Sequence, residues 1–304
     1  MSAMTTGSAP RPSIIGPGRA SGGRKFRSAL ATLLIIASVI MATIPLILIL
    51  VFVVQKGGEI FSWDFLTSDI PITARSFGGG MGPAIVGTLV ITGGATLMAV
   101  PLGVLGGIYL NEYGQTRPIA RVIRFLSEIM TGVPSIVMGL FVYTIWVLHF
   151  KEQTGFAGSL ALACLMLPVV IRTTEEMLRL VPVDLREGSY ALGSRQVRTI
   201  RTVVLPEAAP GIVSGALLAV ARAAGETAPL LFTIGIVTQS NTNLFEGTNT
   251  SLSAQIFRNA ASPFIGAQQR AYGAALTLIV IVFIFTALAR VVTALYARRV
   301  SGGR

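Results

Sequence analysis

The chain has 304 residues, 52% hydrophobic and 12% charged, with a mean hydropathy of +0.73. A soluble domain carries about 25% charged residues, so this composition excludes an ordinary soluble globular protein and points into a bilayer. The net charge of +11 would suit a nucleic-acid binder, but its distribution along the chain excludes that class, and the lone Cys164 excludes an internal disulfide or a thiolate metal site.

Residues 1–28 are rich in Ser, Gly and Pro, carry five basic residues, and read as a disordered cytoplasmic tail. The apolar run 29–54 is longer than the core of a secretory signal, about 7–15 residues, and lacks a small-x-small cleavage site. It predicts an uncleaved first transmembrane helix bent at Pro45. Residues 55–80 form an extracytoplasmic loop. The second span, about 84–110, is expected to break at Gly93-Gly94 and Pro101, and a short basic loop, 111–124, follows. The third span, about 125–148, contains Glu128, read as a structural partner for a nearby arginine, and the run Thr131-Gly132-Val133-Pro134-Ser135. His149 opens a short turn at 149–157 and reads as interfacial. The fourth span begins near Gly158, reaches about 180, and turns polar at Arg172-Thr173-Thr174-Glu175-Glu176. A polar insertion occupies 181–209, the fifth span 211–237, a polar loop 238–270 and the sixth span 271–297, before a short cytoplasmic tail at 298–304.

Six spans place both termini and the loops 111–124 and 181–209 on one side. With Arg179, just ahead of the second loop, that side holds sixteen Lys/Arg against five on the other. The excess marks it as cytoplasmic, since positive loops stay inside. Topology therefore accounts for the basic charge.

The fifth span carries Arg222, 11 residues from its start, and Glu226 four residues later. At about 1.5 Å per residue Arg222 lies roughly 16 Å deep, near the middle of a hydrocarbon core about 30 Å thick. An arginine there costs about 2.5–3.5 kcal/mol. It needs a partner, a cavity or a ligand. Pairing with Glu226 on one helical face gives a structural clasp; facing a pathway, its fork of donors suits an oxyanion, with Thr227 adding a hydroxyl. The ridge Gly211, Gly215, Ala219 and Ala223 lets another helix approach closely. Arg172 is the second candidate, with the cytoplasmic end of its span as the alternative reading. No catalytic constellation, metal set or Gly-x-x-x-x-Gly-Lys-Ser/Thr loop occurs.

The insertion 181–209 looks built. Asp184 with Glu187 three residues on resembles a capping box after Pro182, predicting a short helix over 185–192 that stops at Gly193. Leu185 and Leu192 share its face with Gly188 and Ser189. A second segment puts Val197, Ile200 and Val204 on one side, Arg195, Arg198 and Arg201 on another, and ends at Leu205-Pro206. Two amphipathic helices fit either a partner or the membrane surface.

Glu187, Gly193 six residues on, then nine residues to Val203 and Leu205-Pro206 resemble the cytoplasmic EAA loop of binding-protein-dependent ABC importer permeases. Gly188 and Ser189 stand where that pattern has alanines, and Val203 where it has isoleucine. The stretches 82–114, 131–139, 168–185 and 221–230, the last reading ARAAGETAPL, are similar to the permeases of phosphate importers. The resemblance implies an all-α polytopic membrane protein with six transmembrane helices, a MetI-like permease core at 81–297, and a coupling region, 184–206, seated on an ATPase subunit through Asp184, Glu187, Gly193, Leu205 and Pro206. It implies a second permease subunit, two ATPase subunits and a phosphate-binding protein as partners, inorganic phosphate as cargo, no cofactor, and a pathway including Arg222, Glu226, Thr227 and Arg172. Another oxyanion such as sulfate or molybdate, or a gradient-driven secondary transporter, are the alternatives. The expected location is the inner membrane.

Overall fold

The computed structural model of the protein describes residues 22–301, and every regular element among them is helical. The expected tail lies outside the described residues up to position 21, as do residues 302–304. The chain forms two compact units that divide after Phe52. Among the described residues five helices are long and apolar enough to cross a membrane, six when one bent pair counts as a span.

Helix α1 is Gly22–Gly58, with Pro45 inside it. Helix α2, Trp63–Thr67, starts where the Ser62 hydroxyl accepts the Phe65 amide. Helix α3 is Gly82–Ile108 and opens into a π-helical turn, Tyr109–Tyr113. Contrary to expectation, Gly93-Gly94 and Pro101 do not break it. Close packing explains the glycines better than flexibility does. A Cβ on Gly94 would meet the Ser159 Oγ at 2.7 Å, and one on Gly103 would meet the Val170 Cβ at 2.7 Å. Both neighbours belong to helix α6, Gly155–Arg179, so the bare backbone of α3 is the seat for α6. The Ser159 hydroxyl seals that seam by donating to the Ile91 carbonyl at 2.9 Å.

The third span does break. Helix α4, Pro118–Gly132, and helix α5, Ser135–Val142, which runs on through a π-helical turn to Phe150, are bent by 106°. Pro134 forces Val133 out of the helical region, to ψ 128°, because the proline ring crowds the residue before it. The sequence placed 111–124 in a loop, whereas it holds the end of the π-helical turn and the first turns of α4.

Helix α7, Val183–Ala191, ends through Gly193 at φ +79°. The Gly193 amide donates to the Tyr190 carbonyl and the Ser194 amide to the Ser189 carbonyl, the paired bonds of a glycine-terminated helix. The expected capping box does not form: the residue ahead of the helix is Pro182 and no side chain caps it. Asp184 instead stands in the first turn, where its charge suits the positive end of the helix dipole.

Helix α8 runs through Gln196–Ala224 as one element. Leu205-Pro206 was expected to end a segment there. Pro206 lacks an amide hydrogen, and the helix widens instead into a π-helical turn, Ile200–Val204, closed by the Leu205 amide donating to the Ile200 carbonyl. The fifth helix was also expected to reach 237 but stops at Ala224, with Gly225 at its end and Pro229 just beyond. A short helix α9, Leu230–Thr233, follows. The polar loop before the last span contains helix α10, Leu252–Ala260, and helix α11 begins early, at Ile265, running to Ser301.

The core lies where α3, α6 and α8 meet, around Ile91, Ala95, Leu162, Met166, Val220 and Ala223. The ridge Gly211, Gly215, Ala219 and Ala223 faces α6 of the same chain: Gly211 abuts the Met177 side chain and a Cβ on Gly215 would meet Thr173 at 2.9 Å. At the end of the bundle away from α7, Arg270 is 2% exposed and donates to the carbonyls of Ser76, Gly78 and Ala74. It holds the Gly-rich loop ahead of α3 against α11.

Candidate functional site

Two cavities flank the bend between α4 and α5, and Thr131 borders both. The first, about 170 Å³, is lined by Arg222 and Glu226 together with Thr131 and Ser135 from the bend and Leu165, Met166 and Val169 from α6. These α6 residues lie 10–14 positions from its start at Gly155, or ~15–21 Å along a helix. Arg222 is thus level with the middle of α6, although its own helix ends two residues later.

That ending changes the geometry of the pair. Arg222 occupies the last turn of α8, while Glu226 sits beyond the helix, where its own backbone carbonyl accepts the Ser253 hydroxyl at 2.9 Å. The Arg222 Nε to Glu226 Oε1 distance is 3.6 Å, with side chains 75% and 22% exposed. This is a loose ion pair rather than a closed hydrogen bond, which needs about 2.7–3.2 Å. Arg222 retains donors free to face the cavity. Thr227 follows outside the cavity lining, in the turn whose carbonyl accepts the Leu230 amide.

The second cavity, about 230 Å³, lies nearer α7 and is lined by Arg124, Glu128, Arg172, Glu175, Glu176 and Arg179 among others. Arg172 donates to Glu176 at 3.0 Å on an exposed helical face, its side chain 64% exposed. Glu128 lines the same cavity but forms no ion pair among the described residues, which corrects its expected role. Glu175 fills that role. It is nearly buried, accepts from Arg124 Nε at 2.8 Å, and also pairs with Arg179. Sequence reasoning missed Arg124 and Glu175 as a pair because they are 51 residues apart.

On α6, positions 165, 169, 172 and 176 follow helical spacing. The Arg222 cavity and the Arg172 cavity therefore share one face of that helix. That face carries Leu165 and Val169 at the first cavity and the exposed Arg172–Glu176 pair at the second, inside a molecule whose other long helices present leucine, isoleucine and phenylalanine. No group of three or more His, Cys, Asp or Glu side chains able to hold a metal occurs among the described residues.

In α7, the residues expected to act together divide between two surfaces. Leu185 packs on the core formed by Leu178, Val204 and Ala208, whereas Leu192 is exposed at the tip. Ser189, where the EAA pattern has alanine, shares a hydrogen bond of 2.8 Å with Thr199 at the start of α8. Leu205 and Pro206 lie within α8, directly after the π-helical turn.

Residues 99–302 match the family described as binding-protein-dependent transport system inner membrane component. A phosphate transport system permease protein PstA of Mycobacterium leprae is 42% identical over 92% of this chain and 93% of its own length. The PstA of Yersinia pestis is 42% identical over 89% and 91%, and that of Haemophilus influenzae 43% identical over 87% and 94%. Among solved structures, the inward-facing MetNI methionine ABC transporter superposes with a TM-score of 0.59 at 19% identity, covering 71% of this chain and 95% of that one. At that identity the likeness concerns the fold.

Proposed function

From the premise that this chain belongs to the binding-protein-dependent transport system inner membrane component family, together with the PstA phosphate permeases, we propose that it forms half of the membrane pathway for inorganic phosphate in an ATP-driven importer. It is a multi-pass membrane protein, with the family's inner membrane as its site. The observation that carries the pathway reading is Arg222, 75% exposed at the level of mid-helix in α6. Left against lipid, that guanidinium costs about 2.5–3.5 kcal/mol. A second, related permease chain closing over this face turns the same charge into a wall of a polar pathway, and a pseudo-twofold pair is the ordinary way to build one.

Within that pathway Arg222 offers its donors to phosphate oxygens, Glu226 tempers its charge, Arg172 with Glu176 provides a second stage nearer α7, and Thr227 adds polarity beside the helix end. Cationic groups partly neutralised by carboxylates bind an anion weakly enough to release it, the condition any conducting site must meet. ATP hydrolysis belongs to partner subunits. They engage the coupling region 184–206, where Leu192 and Tyr190 are exposed and Gly193 ends the helix, with Asp184 and Glu187 on the helix and Leu205-Pro206 fixing its return to the membrane. We read both termini and α7 as cytoplasmic because positive loops stay inside, with a phosphate-binding protein delivering cargo at the opposite end.

Competition separates the cargo from its neighbours. With the reconstituted complex, uptake of labelled phosphate should persist in excess sulfate or molybdate and stop on ATP depletion. Equal competition by sulfate would refute the phosphate assignment, and uptake without ATP would refute the importer.

A further inference from the structure

The pathway reading leaves unused an enclosed pair, Glu112 and Arg186, whose side chains are 5% and 17% exposed. Arg186 Nη1 donates to both Glu112 carboxylate oxygens, at 2.6 and 2.8 Å, and Nη2 donates to the Leu178 carbonyl at 2.8 Å. Arg186 thus ties α7 at once to the end of α3 and to the last turn of α6. Desolvating such a pair is costly, and simple docking of α7 would be met by apolar contacts alone.

Glu112 belongs to the π-helical turn Tyr109–Tyr113, a local widening often found at functional positions. The same turn has a second connection. The Leu110 carbonyl accepts Arg124 Nη2 at 2.8 Å, and Arg124 Nε holds Glu175 at 2.8 Å. Leu110, Arg124 and Glu175 all line the cavity that contains Arg172. The bonds therefore run unbroken from α7 through Arg186, Glu112, the turn and Arg124 to Glu175 at the cavity wall. Every contact on this route is a directional hydrogen bond. A displacement of α7 must either break it or draw the turn along, because packed interiors do not deform smoothly.

We infer that Arg186 and Glu112 are positioning residues that transmit movement of α7 to the arginine-lined cavity, so that the partner's ATP cycle resets the pathway. The inference rests on the reading above that α7 meets an ATPase subunit. Its test uses the full complex in proteoliposomes and three readouts: ATPase subunits retained, ATP hydrolysed, and phosphate moved per ATP. Arg186→Met and Glu112→Gln should each retain the ATPase subunits and hydrolysis yet move about ten-fold less phosphate per ATP. Their double variant should be no worse than the poorer single, as for two halves of one link. Should Arg186→Met fail to reach the membrane, Arg186→Lys, whose point charge lacks the fork that spans Glu112 and Leu178, carries the same expectation. Unchanged phosphate per ATP would overturn the inference. So would loss of ATPase subunits in proportion to loss of uptake, which reduces the pair to a support for α7. An unsubstituted complex that retains no ATPase would instead sink the docking reading itself, a failure visible before any substitution is made.

Discussion

The Nε of Arg222 and the Oε1 of Glu226 stand 3.6 Å apart across the point where α8 ends and the chain turns at Gly225. The two residues are four apart in sequence, yet they do not form a helical pair. One belongs to the helix and the other to a turn anchored by Ser253. A gap of this length leaves Arg222 attracted but not occupied, so an arriving anion competes with Glu226 instead of displacing a closed bond.

Glu226→Gln removes the competing charge and leaves the size of the side chain nearly unchanged. Phosphate should then half-saturate uptake at a several-fold lower concentration while the maximal rate falls, because an unopposed Arg222 holds the anion longer. Initial-rate uptake across a phosphate series checks this, and an unchanged half-saturation point would show that Glu226 does not contend for Arg222.

Gly193→Val places a β-branched residue at φ +79°. The left-handed region costs such a residue about 1–2 kcal/mol, and the two bonds that end α7 are lost with it. Co-purification should show weakened retention of the ATPase subunit with the permease still in the membrane. Retention equal to that of the unsubstituted complex would count against the coupling role of 184–206.

Gly103→Ala and Gly93→Ala separate packing from flexibility on α3. A Cβ at Gly103 meets Val170 at 2.7 Å, whereas at Gly93 nothing lies within 4 Å. Overpacking should cost Gly103→Ala about 1–3 kcal/mol, seen as a lower unfolding temperature in detergent, while Gly93→Ala should be neutral or slightly stabilising. Equal shifts would contradict the close seat of α6 on α3.

Arg270→Met strips the carbonyls of Ala74, Ser76 and Gly78 of a charged donor. Hydrogen bonds to a charged group contribute about 1.5–3 kcal/mol each, so the loop 71–80 should become open to protease. Cleavage at the rate of the unsubstituted protein would show that the loop holds by other means.

The all-α fold was legible because hydropathy is a local property of the sequence. Helix α7 was legible through Gly193, whose position past a short amphipathic stretch marks a helix end. Hydropathy could not separate a spanning helix from a helix followed by an apolar turn, so 211–237 read as one element although Gly225 and Pro229 both punctuate it. The expected break in α3 erred in the opposite direction, since a glycine seated against a neighbouring helix carries the same letter as a flexible one. Glu112 with Arg186 and Arg124 with Glu175 were invisible because 74 and 51 residues separate the partners. Only the packing of α3, α4, α6 and α7 brings them together.

The central claim is that Arg222 is a wall of the phosphate pathway, and ATP-driven phosphate uptake by the complex carrying Arg222→Ala tests it most directly. The account predicts that uptake falls to background while the second permease chain and the ATPase subunits remain bound. Uptake at the unsubstituted rate from an intact complex would contradict it.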